Sequence, residues 1–327
     1  MKYPATRRLA LAWLASLACS GTTALAQAQA WPAKPIRLVV NFAPGGAADV
    51  IARAISPQLS LALKQPVVVD NKPGAGGNLG SGEVAKALND GYTLLLSSGG
   101  AITINPLIYP KMGFSPEKDL ASVAAVSRVL VFLETNPSVP VNSVQEFFAY
   151  AKANPGKLSF GSPGQGSSPH LAGEMLKRMA RIDAVHVPYK GAGPALTDVL
   201  SGQLQFWFDP GPGLKHLKDG KLKLLAVGSA KRSPQYPNVP TLAESGLAGF
   251  DADSLFGIYA PAGTPAAIVN RLHDEINKAL QVPAVVEVIK GLGAEPAPMS
   301  REEFIDRHDK ERERFGELVK DLGLKLE

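Results

Sequence analysis

Residues 39–49 read VVNFAPGGAAD, and this stretch decides the kind of fold that we expect. An apolar, β-branched strand ends at Val40, Gly45 and Gly46 form a turn, and a helix opens near Asp49. The helix has an apolar stripe formed by Ile51, Ile55 and Leu59. A strand that passes through glycines into a helix is the repeating unit of α/β folds with largely parallel sheets.

A second stretch of the same kind occupies residues 158–170, which read LSFGSPGQGSSPH. It also runs from a strand through glycines into a helix, here striped by Leu171, Met175 and Met179. The start of a helix leaves backbone N–H groups unpaired and carries a partial positive charge, so a glycine approach favours anion binding there. Two such loops facing each other would hold a carboxylate from both sides. The alternative is that both are ordinary turns whose glycines permit positive φ.

Short β-branched runs alternate with amphipathic stretches along the rest of the chain. The predicted strands cover residues 36–40, 67–70, 93–96, 129–134, 158–160, 184–187, 205–208, 222–227 and 255–259. Capping boxes predict helix starts at Ser143, Thr241 and Ser300, and Thr264 before Pro265 predicts another. The length favours two α/β domains rather than one.

The first thirty residues have the features of an export signal. Lys2, Arg7 and Arg8 precede an apolar run from Leu9 to Ala18, and small residues near Ala26 and Ala30 offer cleavage sites. The run is too short to span a membrane. Acylation at Cys19 is the alternative, although Ser16 fits a lipoprotein signal poorly. We therefore expect a periplasmic protein from which residues 1–30 are removed by cleavage after export.

The charge of the chain depends on that segment. The formal charge of +5 falls to +2 without it, because residues 1–30 carry three cations and no acid. The remaining cations alternate with acids, so we expect no nucleic-acid partner. Cys19 is the only cysteine, and the five histidines show no metal-ligand spacing. We expect no disulfide, no metal and no cofactor.

Enzyme signatures are weak in this sequence. No G-x-S-x-G elbow occurs, and Leu79 stands where a dinucleotide fingerprint needs its third glycine. A hydrolase using Ser162 or Ser167 with His170 is an alternative, but no matching acid is evident. We predict that the protein is not an enzyme.

Five motifs in series resemble the Bug-type receptors of tripartite tricarboxylate transporters. They are FAPGGAAD from Phe42, NKPGAGGNLG from Asn71, DGYTLL from Asp90, HVPYKG from His186 with PALTDVL from Pro194, and PTLAESG from Pro240. They occur in order along nearly all of the chain after residue 30. Each motif alone is weak, but the series is specific.

The resemblance implies a type II periplasmic-binding-protein fold, with two α/β lobes, crossing hinge strands and a central ligand cleft. The first lobe would comprise residues 31–129 and 252–327, and the second residues 130–251. Such a receptor closes on a small organic acid, here a di- or tricarboxylate, and delivers it to a two-component membrane permease. A sensor subunit presenting the same ligand to a signalling kinase is the alternative. We expect the receptor to act as a monomer.

By position, the resemblance implicates residues of both loops in ligand binding. On one side these are Gly45, Gly46, Ala47 and Asp49, and on the other Ser162, Gly166, Ser167 and His170. Further wall residues would be Ser97, Ser98, Tyr189 and Asp209. Asp49 has a second interpretation, because an acid in a first helical turn commonly complements the helix dipole.

The sequence departs from the family pattern at two aromatic positions. Leu255-Phe256 replaces a frequent Trp-Tyr pair, and Phe206-Trp207-Phe208 replaces a run that usually has one aromatic. Strand alternation points Phe206 and Phe208 one way and Trp207 the other, so at least one belongs to the core. These departures leave room for an aromatic carboxylate that stacks in the cleft.

Overall fold

The computed structural model describes residues 31–325, and its strands form two sheets. The first sheet contains β1 (Ile36–Val40), β2 (Val67–Asn71), β3 (Thr93–Ser97), β4 (Leu120–Val129), β10 (Ser254–Pro261) and β11 (Glu295–Pro296). The second contains β5 (Phe132–Thr135), β6 (Leu158–Ser162), β7 (Ala184–Pro188), β8 (Phe206–Asp209) and β9 (Lys223–Val227). The strand orders are β11-β4-β10-β3-β1-β2 and β7-β6-β8-β5-β9.

Helices connect and cover these strands. They are α1 (Ala47–Leu63), α2 (Asn78–Ala85), α3 (Gly99–Thr103), α4 (Asn105–Ile108), α5 (Pro116–Asp119), α6 (Val144–Ala153), α7 (Ser168–Ala180), α8 (Ala192–Leu200), α9 (Ala266–Ala279), α10 (Pro283–Gly291) and α11 (Arg301–Leu322). Within the described residues, no helix is both long and apolar enough to span a bilayer.

Each sheet carries a parallel core from which one glycine loop emerges. In the first sheet β1 pairs in parallel with β2 and β3, and in the second β6 pairs in parallel with β7 and β8. The two loops follow the carboxyl ends of β1 and β6. Because ligands of such sheets bind beyond the carboxyl ends of parallel strands, both loops lie where a ligand site is expected.

The chain crosses between the sheets twice. It leaves the first sheet between β4 and β5 and returns between β9 and β10. The crossings are joined by backbone hydrogen bonds from Gly228 N to Val131 O (2.7 Å) and from Ala252 N to Gly228 O (2.8 Å). The expected fold is confirmed: two α/β lobes, each built on one sheet, connected by crossing strands.

The lobe boundaries remain a prediction. All strands of the first sheet lie within residues 31–129 and 252–327, and all strands of the second lie within residues 130–251. Below, the first and second lobes are the parts of the chain built on the first and second sheets.

Local predictions differ from the structure in three places. The strand expected at 129–134 is interrupted at Leu130 and Val131, and the alanine-rich β4 before it lacks the β-branched pattern that would have revealed it. The capping box at Thr241 forms reciprocally with Glu244, yet only turns follow, because Gly246 adopts φ 105° and ends them. Thr264 donates to Pro261 O (2.7 Å), so the helix starts one residue later, at Ala266.

Candidate ligand-binding cleft

The first loop leaves the start of α1 open. Gly45 has φ +82°, a conformation that glycine adopts without strain, and it turns the chain into the helix. Gly46 is the N-cap and has no side chain to accept a hydrogen bond from the first turn. The first N–H groups of a helix have no acceptor within it, so those of Ala47 and Ala48 remain available.

Asp49 holds this loop in shape. Its carboxylate accepts hydrogen bonds from Gly45 N (3.0 Å) and from Arg53 Nε (3.0 Å). Burial alone would raise the pKa of Asp49, but the hydrogen bonds from Arg53 and Gly45 outweigh it and keep the pKa below its usual value. The structure therefore gives Asp49 the role of ordering the loop.

The second loop is closed by its own side chains. Ser167 caps α7, because its Oγ accepts from His170 N (3.4 Å) and donates to Gly164 O (2.7 Å). Ser162 Oγ accepts a hydrogen bond from Gly164 N (3.2 Å). Pro169 has no N–H group, so only the N–H of Ser168 stays open in this first turn.

Two imidazoles, the buried ring of His170 and the half-buried ring of His186, support the second loop from behind. The rings of His170 and His186 stack with centroids 4.2 Å apart, and His186 Nε2 lies 2.7 Å from Ser162 Oγ. His170 Nδ1 accepts from Gly166 N (3.2 Å). Burial lowers the pKa of His170 to about 4 and that of His186 to about 3, so both rings are neutral at pH 7.

The two lobes contact each other through these loops. Ala43 N, in the first loop, donates to Lys190 O of the second lobe (3.1 Å). A Cβ placed on Gly46 would lie 3.4 Å from Ala192 Cβ, and one on Gly166 only 1.9 Å from Asn105 Oδ1. Because glycine has no side chain, the backbones approach at distances that other residues would prevent.

A small cavity lies where the open helix starts meet. Its walls are formed by Phe42, Gly46, Ala47, Ala48, Ser98, Pro163, Ser167, Ser168, Pro169, Ala192, Pro210 and Phe256. The cavity has a volume of ≈ 30 Å³. One water needs about 10–15 Å³, so this cavity has room for about two waters and is smaller than an organic acid.

Ser98 supplies a further donor to this cavity. It is 5 % exposed, and its Oγ has no hydrogen-bond partner. Leaving a buried hydroxyl unpaired costs about 1–3 kcal/mol, so such a group indicates a missing partner. The adjacent Ser97 is different, since its Oγ accepts from Asn41 Nδ2 (2.9 Å) and donates to Ser98 O (2.9 Å).

The structure brings only some of the predicted site residues to the cavity wall. Those at the wall are Gly46, Ala47, Ser98 and Ser167. Those behind it are Gly45, Asp49, Ser97, Ser162, Gly166, His170, Tyr189 and Asp209. Tyr189 donates its hydroxyl to Asp198 Oδ2 (2.5 Å), which turns it away from the wall.

Asp209 belongs to a buried acidic pair rather than to the wall. Its Oδ2 accepts from Gly213 N (2.8 Å) and Leu214 N (3.1 Å), which fixes the loop containing Pro210. Burial raises the pKa of Asp209 to about 8. Burial, with the neighbouring Asp209, also raises the pKa of Glu134, whose Oε2 accepts from Trp207 Nε1 (2.9 Å).

Several wall residues were not predicted. They are Phe42, Ala48, Pro163, Ser168, Pro169, Ala192, Pro210 and Phe256. Five of them lie inside the two quoted loops and could have been found by extending the predicted site to the neighbouring residues of each loop. Ala192 begins α8, Pro210 follows β8 and Phe256 lies within β10, and only the fold brings them to the cleft.

The aromatic run of β8 is core and does not reach the cavity. Phe206, Trp207 and Phe208 are all fully buried. Phe206 and Phe208 pack in one apolar cluster and Trp207 in another, as strand alternation predicts. The aromatic groups at the cleft are Phe42 and Phe256 instead.

The arrangement does not assemble the hydrolase considered above. His170 Nδ1 is occupied by Gly166 N–H, and Ser167 Oγ donates to a backbone carbonyl. Ser162 does meet an imidazole, that of His186, but in the described part of the chain no carboxylate is hydrogen-bonded to either ring. Residues 31–325 also contain no group of three or more potential metal ligands of the His, Cys, Asp or Glu types.

Comparison with known proteins identifies similar chains over nearly the whole length. Residues 51–324 match the model of the tripartite tricarboxylate transporter family receptor. Protein BugT of Bordetella pertussis is 38 % identical over 312 residues, which is 95 % of this chain and 96 % of BugT.

Two similar solved structures contain carboxylates. Rpa4515 of R. palustris with adipate is 34 % identical, with a TM-score of 0.87 over 90 % of this chain and 99 % of that one. MatC from Rhodopseudomonas palustris with bound malate is 32 % identical, with a TM-score of 0.84 over 88 % of this chain and 100 % of that one.

Proposed function

The chain belongs to the tripartite tricarboxylate transporter receptor family, and from this premise we propose that it is a periplasmic solute-binding receptor. It captures a small organic carboxylate between its lobes and delivers it to a two-component membrane permease. Binding, with release of an unchanged ligand, is its activity, and it catalyses no reaction. The adipate and malate in the two similar structures support carboxylates as the ligand class.

One observation carries the proposal: the unpartnered hydroxyl of Ser98 lies on the cavity to which two helix starts contribute. A buried hydroxyl without a partner needs an acceptor. Unpaired N–H groups with a partial positive charge need an anion. A carboxylate satisfies both requirements.

The donors at the wall are sufficient for one carboxylate. Ala47 and Ala48 each offer an N–H, Ser168 offers its N–H, and Ser98 offers its hydroxyl. A carboxylate has about four lone-pair sites. Each hydrogen bond to a charged group contributes about 1.5–3 kcal/mol, so four contribute about 6–12 kcal/mol. Micromolar affinity corresponds to about 8 kcal/mol.

The other predicted site residues act through the loops. We assign Gly46 and Ser167 to the wall, where they allow close approach and cap α7. Gly45, Asp49 and Gly166 set the shapes of the loops. For Ser97, Ser162, His170, Tyr189 and Asp209 we propose support of the wall without ligand contact.

A thermal-shift screen tests the proposal on protein expressed with its own signal and purified from the periplasm. Mono-, di- and tricarboxylates are compared with neutral alcohols and amides of equal length. Ligand at a hundred times its Kd adds about 2.7 kcal/mol to the stability of the fold. A rise in melting temperature confined to acids supports the proposal, and a rise with neutral solutes alone refutes it.

The Ser98→Ala variant tests directly whether the hydroxyl of Ser98 binds the ligand. Loss of one charge-assisted hydrogen bond should weaken carboxylate binding by about ten- to a hundredfold in calorimetry. Ser138→Ala, at an exposed serine of the second lobe, is the matched control and should bind as the unaltered protein does. Equal affinity of all three proteins would remove Ser98 from the site.

A further inference from the structure

We propose that Glu134 and Asp209 form a proton-binding site beneath the cleft, and that the proton held on Glu134 at neutral pH keeps the loop of residues 210–214 in place. The two acids belong to adjacent strands of the second sheet, β5 and β8. They are not part of the carboxylate-binding site proposed above, so the tests of this inference need no ligand.

The two carboxyl groups lie on one face of the second sheet. Glu134 stands opposite Trp207 where β5 pairs with β8, and Asp209 is the diagonal neighbour of Glu134 on the same face. Both carboxyl groups approach Gly213, since a Cβ there would lie 2.5 Å from Glu134 Oε2 and 2.8 Å from Asp209 Oδ2. Glycine at this position therefore lets two acids come together inside the lobe.

Neither acid has a cation to balance its charge. Both residues are fully buried, and among the described residues no lysine, arginine or histidine pairs with either carboxyl group. The other titratable side chain beside them is Tyr236, whose pKa is raised by burial and by the two acids. Two ionised carboxylates would repel each other and lack the partner that buried charges need. At least one of them must therefore carry a proton.

The hydrogen bonds indicate that this proton is on Glu134. Backbone N–H groups donate to Asp209 and oppose the effect of burial on its pKa. Glu134 accepts only from Trp207 Nε1 (2.9 Å), and its Oε1 is buried without a partner. Burial, with Asp209 beside it, raises the pKa of Glu134 well above its usual value. A proton there turns an acceptor without a donor into a donor and removes one of two like charges.

The loop that Asp209 holds reaches both the cleft and the first lobe. Pro210 lines the cavity, and a Cβ placed on Gly211 would meet Leu292 O of the first lobe. The backbone donors to Asp209 belong to the same loop, so its position depends on that carboxyl group. Loss of the proton from Glu134 would place two like charges beneath the loop. Alkaline pH should therefore loosen this part of the cleft wall.

The Glu134→Gln variant tests the proton site, because glutamine has the shape of a protonated glutamate and cannot ionise. A group whose pKa is raised by folding stabilises the fold at low pH, and this contribution is lost as the pH rises towards the folded pKa. In denaturant titrations between about pH 6.5 and pH 8.5, the unfolding equilibrium constant should rise about tenfold more per pH unit in the unaltered protein than in the variant.

Glu287→Gln is the matched control for this measurement. The side chain of Glu287 is 74% exposed on α10, so this variant should follow the unaltered protein. Equal pH dependence of the unaltered protein and the Glu134→Gln variant would overturn the proton site.

An alkali cation between two ionised carboxylates is the other way to balance this pair. Unfolding in sodium chloride and in choline chloride of equal concentration separates the two cases. We expect equal stability of the unaltered protein in both salts. Stabilisation by sodium ions that the Glu134→Gln variant lacks would overturn the proton site in favour of a cation.

Hydrogen exchange of the unaltered protein tests the effect on the loop without any variant. In mass spectrometry at about pH 7 and pH 9, we expect residues 209–217 to lose at least about fivefold in protection at the higher pH, after correction for the pH dependence of exchange itself. The peptide containing Gly45 and Asp49 is the internal control, because the pKa of Asp49 is lowered and its carboxylate stays ionised. Unchanged protection of residues 209–217 at pH 9 would overturn the proposed role of the proton in holding the loop.

Discussion

The two glycine loops look equivalent in sequence but differ in how each prepares its helix start. The first is open: Gly46 caps α1 without a side chain, and Ala47 and Ala48, whose N–H groups have no acceptor within the helix, line the cavity. The second is closed: Ser167 caps α7, and the His170–His186 stack supports the turn from behind. The first loop thus supplies two open N–H groups and the second supplies one, on a turn that its own side chains hold rigid.

This difference shows that two loops with the same sequence motif can have different roles. Both loops pass from a parallel strand to a helix through glycines, and both reach the same cavity. Yet proline at position 169 and the cap at Ser167 leave one open N–H in the second loop, where the first has two at the wall. Substitutions in the first loop should therefore change affinity, and substitutions in the second should change stability.

The largest effect is expected for Gly46→Val. The φ of −84° and ψ of 170° at Gly46 suit any residue, so the fold should persist. A Cβ would already lie 3.4 Å from Ala192 Cβ, and the valine methyl groups would reach further and prevent closure. We expect carboxylate affinity to fall by at least about a hundredfold, about 2.7 kcal/mol.

Gly46→Ala is the matched control for this change. Its single methyl group makes ordinary contact with Ala192, so calorimetry should show a loss of only a few-fold. If the valine variant keeps its affinity while its melting temperature is normal, the first loop is only a turn.

A smaller effect, on the pH dependence of stability, is expected from the two imidazoles that support the second loop. The pKa values of His170 and His186 are lowered by burial to about 4 and about 3 in the fold, against about 6.5 in an unfolded chain. Their contribution is fully present above pH 6.5 and is lost as the pH falls towards the folded values, by up to about 1.4 kcal/mol per pH unit for each ring.

His186→Gln isolates this contribution from that of other titrating groups. Melting temperatures at pH 7.5 and pH 5 should differ less in the variant than in the unaltered protein, by the equivalent of about 1–2 kcal/mol. His216→Gln, at a partly exposed histidine, should leave the difference almost unchanged. Equal pH responses of all three proteins would contradict the burial of neutral imidazoles beneath the second loop.

Much of the fold was accessible from local patterns. The two loops, the parallel strands before them and the caps at Ser143 and Ser300 follow from residue types over a few positions, where backbone preferences dominate. The strand β4 was missed because its alanines carry little β-preference. The turn after Thr241 shows that a correct cap does not ensure a helix when glycines follow.

The candidate site was less accessible, since it depends on contacts between distant segments. Ala192 and Pro210 reach the cavity only through the tertiary fold, and no local pattern marks them. Asp209 was expected at the wall, but nearby backbone N–H groups hold its carboxylate elsewhere. Ser98 was predicted through the family resemblance, and only the structure shows that its hydroxyl is unpaired.

The smallest effect is expected for Asp49→Asn, which tests whether the open loop needs its anchor. The amide oxygen can still accept from Gly45 N, but the ion pair with the largely exposed Arg53 is lost, and such pairs contribute only about 0.3–0.5 kcal/mol. We expect a two- to threefold weaker affinity and nearly unchanged melting. Asp49→Ala removes both hydrogen bonds and should weaken binding further, because Gly45 is then free to turn. If the asparagine variant instead lost binding entirely, Asp49 would have to contact the ligand. The roles assigned to the two loops would then be wrong.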